Sequence, residues 1–318
     1  MKNRIVQLLF AVAALQMTVW SITSPEVIQQ SGIDKGLFVH VGSLDGDLVS
    51  DLAAGGNILA VGISQNEGDI EAGKQKAQQK SVTPLVAFKK VNSYNDLPFA
   101  DNLANVVIAD FDALGSDKPS MDELLRVIHP RGVVLIKKNN QWEVTSKSLP
   151  SYMDEWTHHF YDPTGNTNSH DSLITEPRGI QWHVPGGESN NVILAGSRWY
   201  SSEKHRGYVG ATSQSNTNYF TARDAFNGLL LWRKENEKTI AELRGDRHPV
   251  SVCADDENVY GVISNPDHAQ CIDGATGEVK ASYTQGSALS TPSDFGIRPI
   301  HLRYQSDLIQ AYKNKVYA

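Results

Sequence analysis

The feature that most limits what this chain can fold into is a short phrase that occurs twice. Thr221–Arg233 reads TARDAFNGLLLWR, and Ala269–Lys280 reads AQCIDGATGEVK. Each has an apolar strand ending in Asp (Asp224, Asp273), a polar-Gly pair three residues on (Asn227-Gly228, Thr276-Gly277), and a second strand. Asn-Gly and Thr-Gly between apolar runs are hairpin chemistry, because Gly takes the positive φ that tight turns demand. The two aspartates stand 49 residues apart, a spacing that suits one propeller blade.

Other short runs around the repeat read as strands: Ile180–Trp182, Asn191–Ala195, Tyr208–Ala211, Tyr219–Arg223, Val250–Cys253, Val259–Ile263 and Ile309–Tyr312. Gly, Asn and Asp turns between them mean a sandwich or a propeller, and the repeat selects a propeller. Residues 179–318 hold about three or four such blades against about four to eight in a ring, so a partial propeller is expected. Glu235–Leu243 has helical propensity and reads as an insertion.

The first half of the chain has a different period. Strands at Leu37–Gly42, Ile58–Ile63, Pro84–Phe88, Val106–Asp110 and Val133–Lys137 alternate with helices at Leu48–Ala54, Glu67–Lys80 and Met121–Ile128. Alternation of this kind predicts a parallel sheet with right-handed crossovers.

Three phrases there resemble the class I S-adenosylmethionine-dependent methyltransferases. VHVGSLDGD lies where their glycine-rich first loop stands, Leu97–Asp110 resembles their segment leading into strand four, and Met121–Ile136 resembles their helix-turn-strand. The resemblance implies a Rossmann-like fold and a cofactor site at Gly42, Ser43, Asp45, Gly46 and Asp110. Departures from the pattern weaken that site. Leu44 replaces the middle glycine and is expected to project into the cofactor's space. No carboxylate follows strand two until Glu67, and Asn92-Ser93 stand where an acid follows strand three.

The strand-Asp-x-x-Asn/Thr-Gly-strand-Trp phrase in turn resembles the repeat of PQQ-type (quinoprotein-like) β-propellers, with Trp232 in the first copy and Lys280-Ala281 in the second. PQQ enzymes of that family use a vicinal Cys-Cys pair, which is missing, so the repeat alone does not license quinone binding. Trp182, Trp199 and Trp232 read as structural blade tryptophans. The Asp154–His158 string resembles the joint between these two modules in exported multidomain proteins.

Lys2 and Arg4 precede an uncharged apolar run, Ile5–Trp20, and a small polar stretch, the layout of a secretory leader. Residues 1–24 are therefore expected to be a signal peptide, with no membrane span after its removal. An uncleaved anchor is the alternative. The mature protein is then periplasmic or extracellular, where Cys253 and Cys271, in adjacent predicted strands, can pair or stay as small buried residues. A net charge of −7 argues against nucleic acid as a partner.

The expected organisation is a leader (1–24), a methyltransferase-like Rossmann domain (25–148), a junction loop (149–178) and an all-β, partial PQQ-like β-propeller (179–318). In the junction, His158, Asp162 and His170 are the candidates for a metal, and structured hydrogen bonding is the alternative. The expected role is binding or scaffolding with a protein or polysaccharide partner. The alternatives are a quinoprotein-like oxidoreductase using PQQ and a methyltransferase using S-adenosylmethionine (SAM).

Overall fold

A computed structural model describes residues 21–158, 161–164, 166–173, 176, 179–184, 188–209, 213–236, 252–261, 263, 268–284, 310–312 and 315–317. The leader-like run Ile5–Trp20, His159 and residues 237–243 of the expected insertion lie outside them. Glu235 and Asn236 belong to a strand.

The first unit runs α1 (Ser24–Ser31), β1 (Gly36–Val41), α2 (Asp47–Ala53), β2 (Ile58–Ser64), α3 (Glu67–Gln79), β3 (Val86–Lys90), β4 (Ala104–Asp110), α4 (Phe111–Leu114), α5 (Met121–Val127), β5 (Ile128–Lys138) and β6 (Gln141–Ser146). It begins inside the expected leader, because Ile22 is buried in the core and Thr23 caps α1, its backbone N–H donating to Glu26 Oε2 at 2.8 Å. The strands form one sheet in the order β3-β2-β1-β4-β5-β6. Five strands are parallel, but β6 runs antiparallel to β5, so the sheet is mixed rather than wholly parallel.

Every residue of β4 except Asp110 is buried, as a strand covered on both faces requires. On one face Val27, Val49, Leu52 and Ala77 of α1, α2 and α3 pack onto Phe38, Ile58 and Leu135. On the other, Leu124 and Val127 of α5 cover Val39, Val41 and Val134. The order in which strands are added reverses between β1 and β4, which in doubly wound folds opens a crevice at the carboxyl edge of the sheet.

The second unit is all β. β7 (Glu188–Ala195), β8 (Arg198–Val209), β9 (Ser213–Asp224) and β10 (Leu230–Asn236) form one antiparallel meander. β11 (Val252–Ala254), β12 (Asn258–Gly261), β13 (His268–Asp273) and β14 (Val279–Thr284) form a second, and β15 (Gln310–Tyr312) pairs with β16 (Lys315–Tyr317). The first strands β7, β11 and β15 are successive neighbours. Ile193, Tyr200, Phe220, Trp232, Val259 and Ile272 share one core between the two meanders.

The twice-written phrase makes the same turn twice. Asp224 Oδ1 accepts the N–H groups of Phe226 and Asn227 at 2.9 and 3.1 Å, and Asp273 Oδ1 those of Ala275 and Thr276 at 3.0 and 2.9 Å. Gly228 and Gly277 follow at φ 73° and 78°. A tryptophan covers each turn. The Trp232 indole N–H donates to Gly274 O at 2.9 Å, and that of Trp182 to Ala225 O at 3.1 Å. A Cβ on either glycine would collide with the ring lying over it.

One expectation fails in this unit: Ile180–Trp182 is irregular, not a strand. Of the two readings of the cysteines the buried one holds, since Cys253 and Cys271 form no disulfide; their strands are not adjacent, because β12 lies between them and puts Tyr260 there.

Candidate functional site

The carboxyl edge of the sheet carries the residues expected to hold a cofactor. Gly42 leaves β1 at φ 81°, and its N–H and that of Ser43 both donate to Ile63 O, at 2.8 and 3.0 Å. The loop therefore spends two of its donors on the neighbouring strand. Leu114, at the end of α4, lies over Gly42, with its Cδ2 2.7 Å from where a Cβ would stand. Gly46, at φ 74°, starts α2, and a Cβ there would run into Gly73 Cα and the Phe88 ring at 2.5 and 2.9 Å. Its bareness serves the packing of α2, α3 and β3. Leu44 does not project inward as expected; it is 67% exposed.

The acids are also engaged. Asp45 accepts the N–H of Asp47 at 3.0 Å. Asp110 caps α4 by accepting the N–H of Ala113 at 2.9 Å, and its other oxygen lies 3.4 Å from Lys137 Nζ. Ser43 is buried, and its Oγ lacks a partner.

Sequence reasoning missed several neighbours. His40 lies on β1 opposite Gly62, its Nδ1 buried and unpartnered. Burial pushes its pKa down to about 4, against the pull of Asp45 and Asp110. At the end of β2, Ser64 Oγ–H donates to Asp69 Oδ2 at 2.7 Å, so a carboxylate does reach this edge, five residues later than the pattern places it. Glu67 pairs with Lys90 at 3.5 Å. After β3, Ser93 Oγ accepts the N–H of Asn95, and Asn92 brings no carboxylate.

SAM presents a sulfonium, an amino-acid end and a ribose diol. Of the three places that would receive it, only the end of β2 brings a carboxylate, Asp69, which Ser64 holds by one oxygen, and in the β1 loop Leu114 lies over Gly42. The residues present do not make a full cradle for it.

The amino edge of the same sheet is the better built polar site. Asn105 opens β4, His129 lies at the start of β5, and Asp224 comes from the first repeat turn; all three are buried. Asn105 Oδ1 accepts from Leu37 N–H at 2.8 Å and from Asn227 Nδ2 at 2.9 Å. Its Nδ2 therefore donates one hydrogen to Asp224 Oδ2 at 2.7 Å and the other to His129 Nε2 at 2.8 Å. His129 must then carry its proton on Nδ1, which donates to Pro130 O at 2.6 Å. Its ring stacks on Phe226, 5.2 Å away and 4° from parallel. Asn227 Nδ2 also reaches Leu103 O, at 3.0 Å. Every polar group of this seam is satisfied, as burial requires.

The junction binds the units further. Leu194 N–H donates to Trp156 O at 2.8 Å and Ala254 N–H to Thr157 O at 2.9 Å, so this strap touches the first strand of both meanders. Arg131 forks between Glu155 and Asp256 at 2.8 and 2.7 Å. The three metal candidates do not converge. His158 Nδ1 meets Thr157 Oγ1, Asp162 caps Thr164, and His170 joins Tyr161 and Asp154. Among the described residues, no three His, Cys, Asp or Glu side chains gather as a metal site would need.

A family profile described as a methyltransferase domain matches residues 38–193. The first unit is a methyltransferase-fold domain. The match runs past β6 through the strap and into β7. Among solved structures, a SAM-dependent methyltransferase from Aquifex aeolicus is 20% identical, with 36% of this chain and 62% of that one covered and a TM-score of 0.32. A SAM-dependent methyltransferase from Thiobacillus denitrificans in complex with S-adenosyl-L-homocysteine is 16% identical, with 36% and 46% covered and a TM-score of 0.32. The cyclase SpnF is 23% identical, with 36% and 43% covered and a TM-score of 0.33. The chain thus spans about half the length of these structures. No curated protein matches the chain.

Proposed function

We propose that this is an exported binding scaffold, in which a methyltransferase-fold domain acts as the base for PQQ-like propeller repeats that engage a protein or polysaccharide partner. One contrast carries the reading. At the carboxyl edge, where such folds bind ligands, Leu114 lies over Gly42 and the Gly42 and Ser43 N–H groups are spent on Ile63 O, whereas the amino edge holds a fully satisfied seam to the repeats. The leader-like sequence before the folded domain, Lys2 and Arg4 followed by the apolar run Ile5–Trp20, supports export.

Calorimetric titration with SAM tests this. No binding is expected at millimolar ligand; micromolar affinity that Gly42→Trp abolishes would overturn the reading. A second reading, a SAM-dependent methyltransferase, is favoured by the profile match and by the Ser64–Asp69 pair, which leaves a carboxylate for a ribose diol at the end of β2. That same titration separates the two.

A further inference from the structure

We propose that Asn227 is a modification site that docking guards: held in the seam it keeps its carboxamide, and when the two units part it loses that group as ammonia and the seam cannot close again.

The sequence supplies the reactivity. Asn227-Gly228 is the only Asn-Gly pair in the chain. Glycine has no Cβ to shield its backbone nitrogen, so the nitrogen of Gly228 can approach Cγ of Asn227 closely. A bond forms between them, the Cγ–Nδ2 bond breaks, and the proton from Gly228 leaves with Nδ2 as ammonia. The five-membered imide that remains takes up one water. Opening at one carbonyl gives aspartate; opening at the other gives isoaspartate, and neither step needs an oxidant or a reductant.

The structure holds both partners of that attack. Gly228 N–H donates to Asp224 O at 2.9 Å, and the Trp182 ring lies over the glycine. The Asn227 carboxamide is tied at three points. Its Oδ1 accepts from Leu229 N–H at 3.1 Å, while Nδ2 donates to Leu103 O at 3.0 Å and to Asn105 Oδ1 at 2.9 Å. Both hydrogens of the leaving nitrogen are thus spent on the methyltransferase-fold domain, and its departure breaks both bonds. The turn itself supplies only the Leu229 tether; docking supplies the other two. A polar seam opens at lower cost than the apolar cores on either side of it, so opening of the seam sets the rate.

The product does not return to the seam. Aspartate at 227 has no hydrogen for Leu103 O or Asn105 Oδ1 and meets them with acceptors alone. Its charge also stands in the turn that buries Asp224. Isoaspartate lengthens the backbone inside the turn that Asp224 Oδ1 caps through the Phe226 and Asn227 N–H groups. In the second repeat Thr276-Gly277 makes the same turn with a hydroxyl in place of the carboxamide, so the reaction is confined to the turn that docks. The inference stands on the seam and is independent of whether the carboxyl edge binds a cofactor.

For the test, the full chain and a synthetic peptide of residues 224–233 are held in the same mildly alkaline buffer. Trypsin cuts after Arg223 and Arg233 and so releases the same peptide from the chain. Mass spectrometry then reads the gain in mass as amide becomes acid. The chain is expected to react about tenfold or more slowly than the free peptide, the factor that two seam hydrogen bonds place on opening. Asn105→Ala removes one tether and should bring the rate toward that of the peptide. Urea below the unfolding transition opens the seam without a substitution and should do the same. Asn227→Asp should fold with unchanged circular dichroism and exchange its Leu37 amide faster than the parent. A chain that reacts as fast as the peptide, a rate that neither Asn105→Ala nor urea raises, or Asn227→Asp with the parent's exchange at Leu37 would each overturn the proposal.

Discussion

His40 shows how the burial of one residue gives the whole fold a pH dependence. It lies on β1 across from bare Gly62 with a buried, unpartnered nitrogen, and burial lowers its pKa from 6.5 to about 4. A base depressed in this way is neutral when folded and takes up a proton on unfolding. Its contribution to stability is complete above pH 6.5 and is lost as pH falls from 6.5 toward 4. The shift is worth about 3 kcal/mol over that window. Urea unfolding of the full chain should show a falling midpoint between about pH 7.5 and 5, and His40→Leu should remove most of that slope. An equal slope in both proteins would dismiss the assignment. None of this was legible in the sequence, where His40 is one residue of an apolar strand. Asp69 was missed for a related reason: the eye stops at the residues that follow the strand, whereas the first turn of α3 carries Asp69 back over Ser64.

At the scale of elements, sequence and structure agree where the pattern is local. β1, β2, β4 and helices α2, α3 and α5 stand within a few residues of the hydrophobic runs that announced them. β6, exposed except at half-buried Trp142 and Thr145, carried too weak an apolar signal. The β8–β9 hairpin was foreshortened because its outer half is polar. The two repeat turns differ at the positions that decide docking. Phe226 and Asn227 in the first meet His129, Leu103 O and Asn105; Ala275 and Thr276 in the second meet none of these. Asn227→Thr should therefore keep the turn, since Thr276 makes it in the second repeat, and lose two hydrogen bonds across the seam. A loss of about 1–3 kcal/mol is expected, because Asn105 Oδ1 and Leu103 O are left short of a donor. Faster amide exchange at Leu37 and Asn105, with the second meander unchanged, would bear this out. Uniform destabilisation of both units would count against a local seam.

For the whole molecule, the question is whether the two units need each other. The cores of the methyltransferase-fold domain draw every buried member from Ile22 to Ile136, and the core of the meanders draws its own from Ile193 to Ile272. Among the described residues no buried apolar cluster crosses the boundary; what crosses includes the polar seam with its His129–Phe226 stack, the Arg131 fork, and hydrogen bonds from Lys35 Nζ to Leu231 O and from Ser197 Oγ to Pro130 O. Polar groups freed on separation regain water, so the unit that keeps a finished core survives. Residues 21–148 retain both core clusters and the Thr23 cap, and are expected to fold alone as a protease-resistant monomer. A fragment starting at 25 loses Ile22 and that cap and should be measurably weaker. Residues 149–318 keep their core but leave Asp224 without Asn105 and His129, and leave edge strand β10 without the Lys35 Nζ that Leu231 O accepts from, so that edge is open to pairing. That fragment is expected to self-associate and to be cut readily by protease. Size exclusion and limited proteolysis of the three fragments decide the matter. A monomeric, resistant 149–318 fragment would show that the repeats need neither their base nor a neighbour.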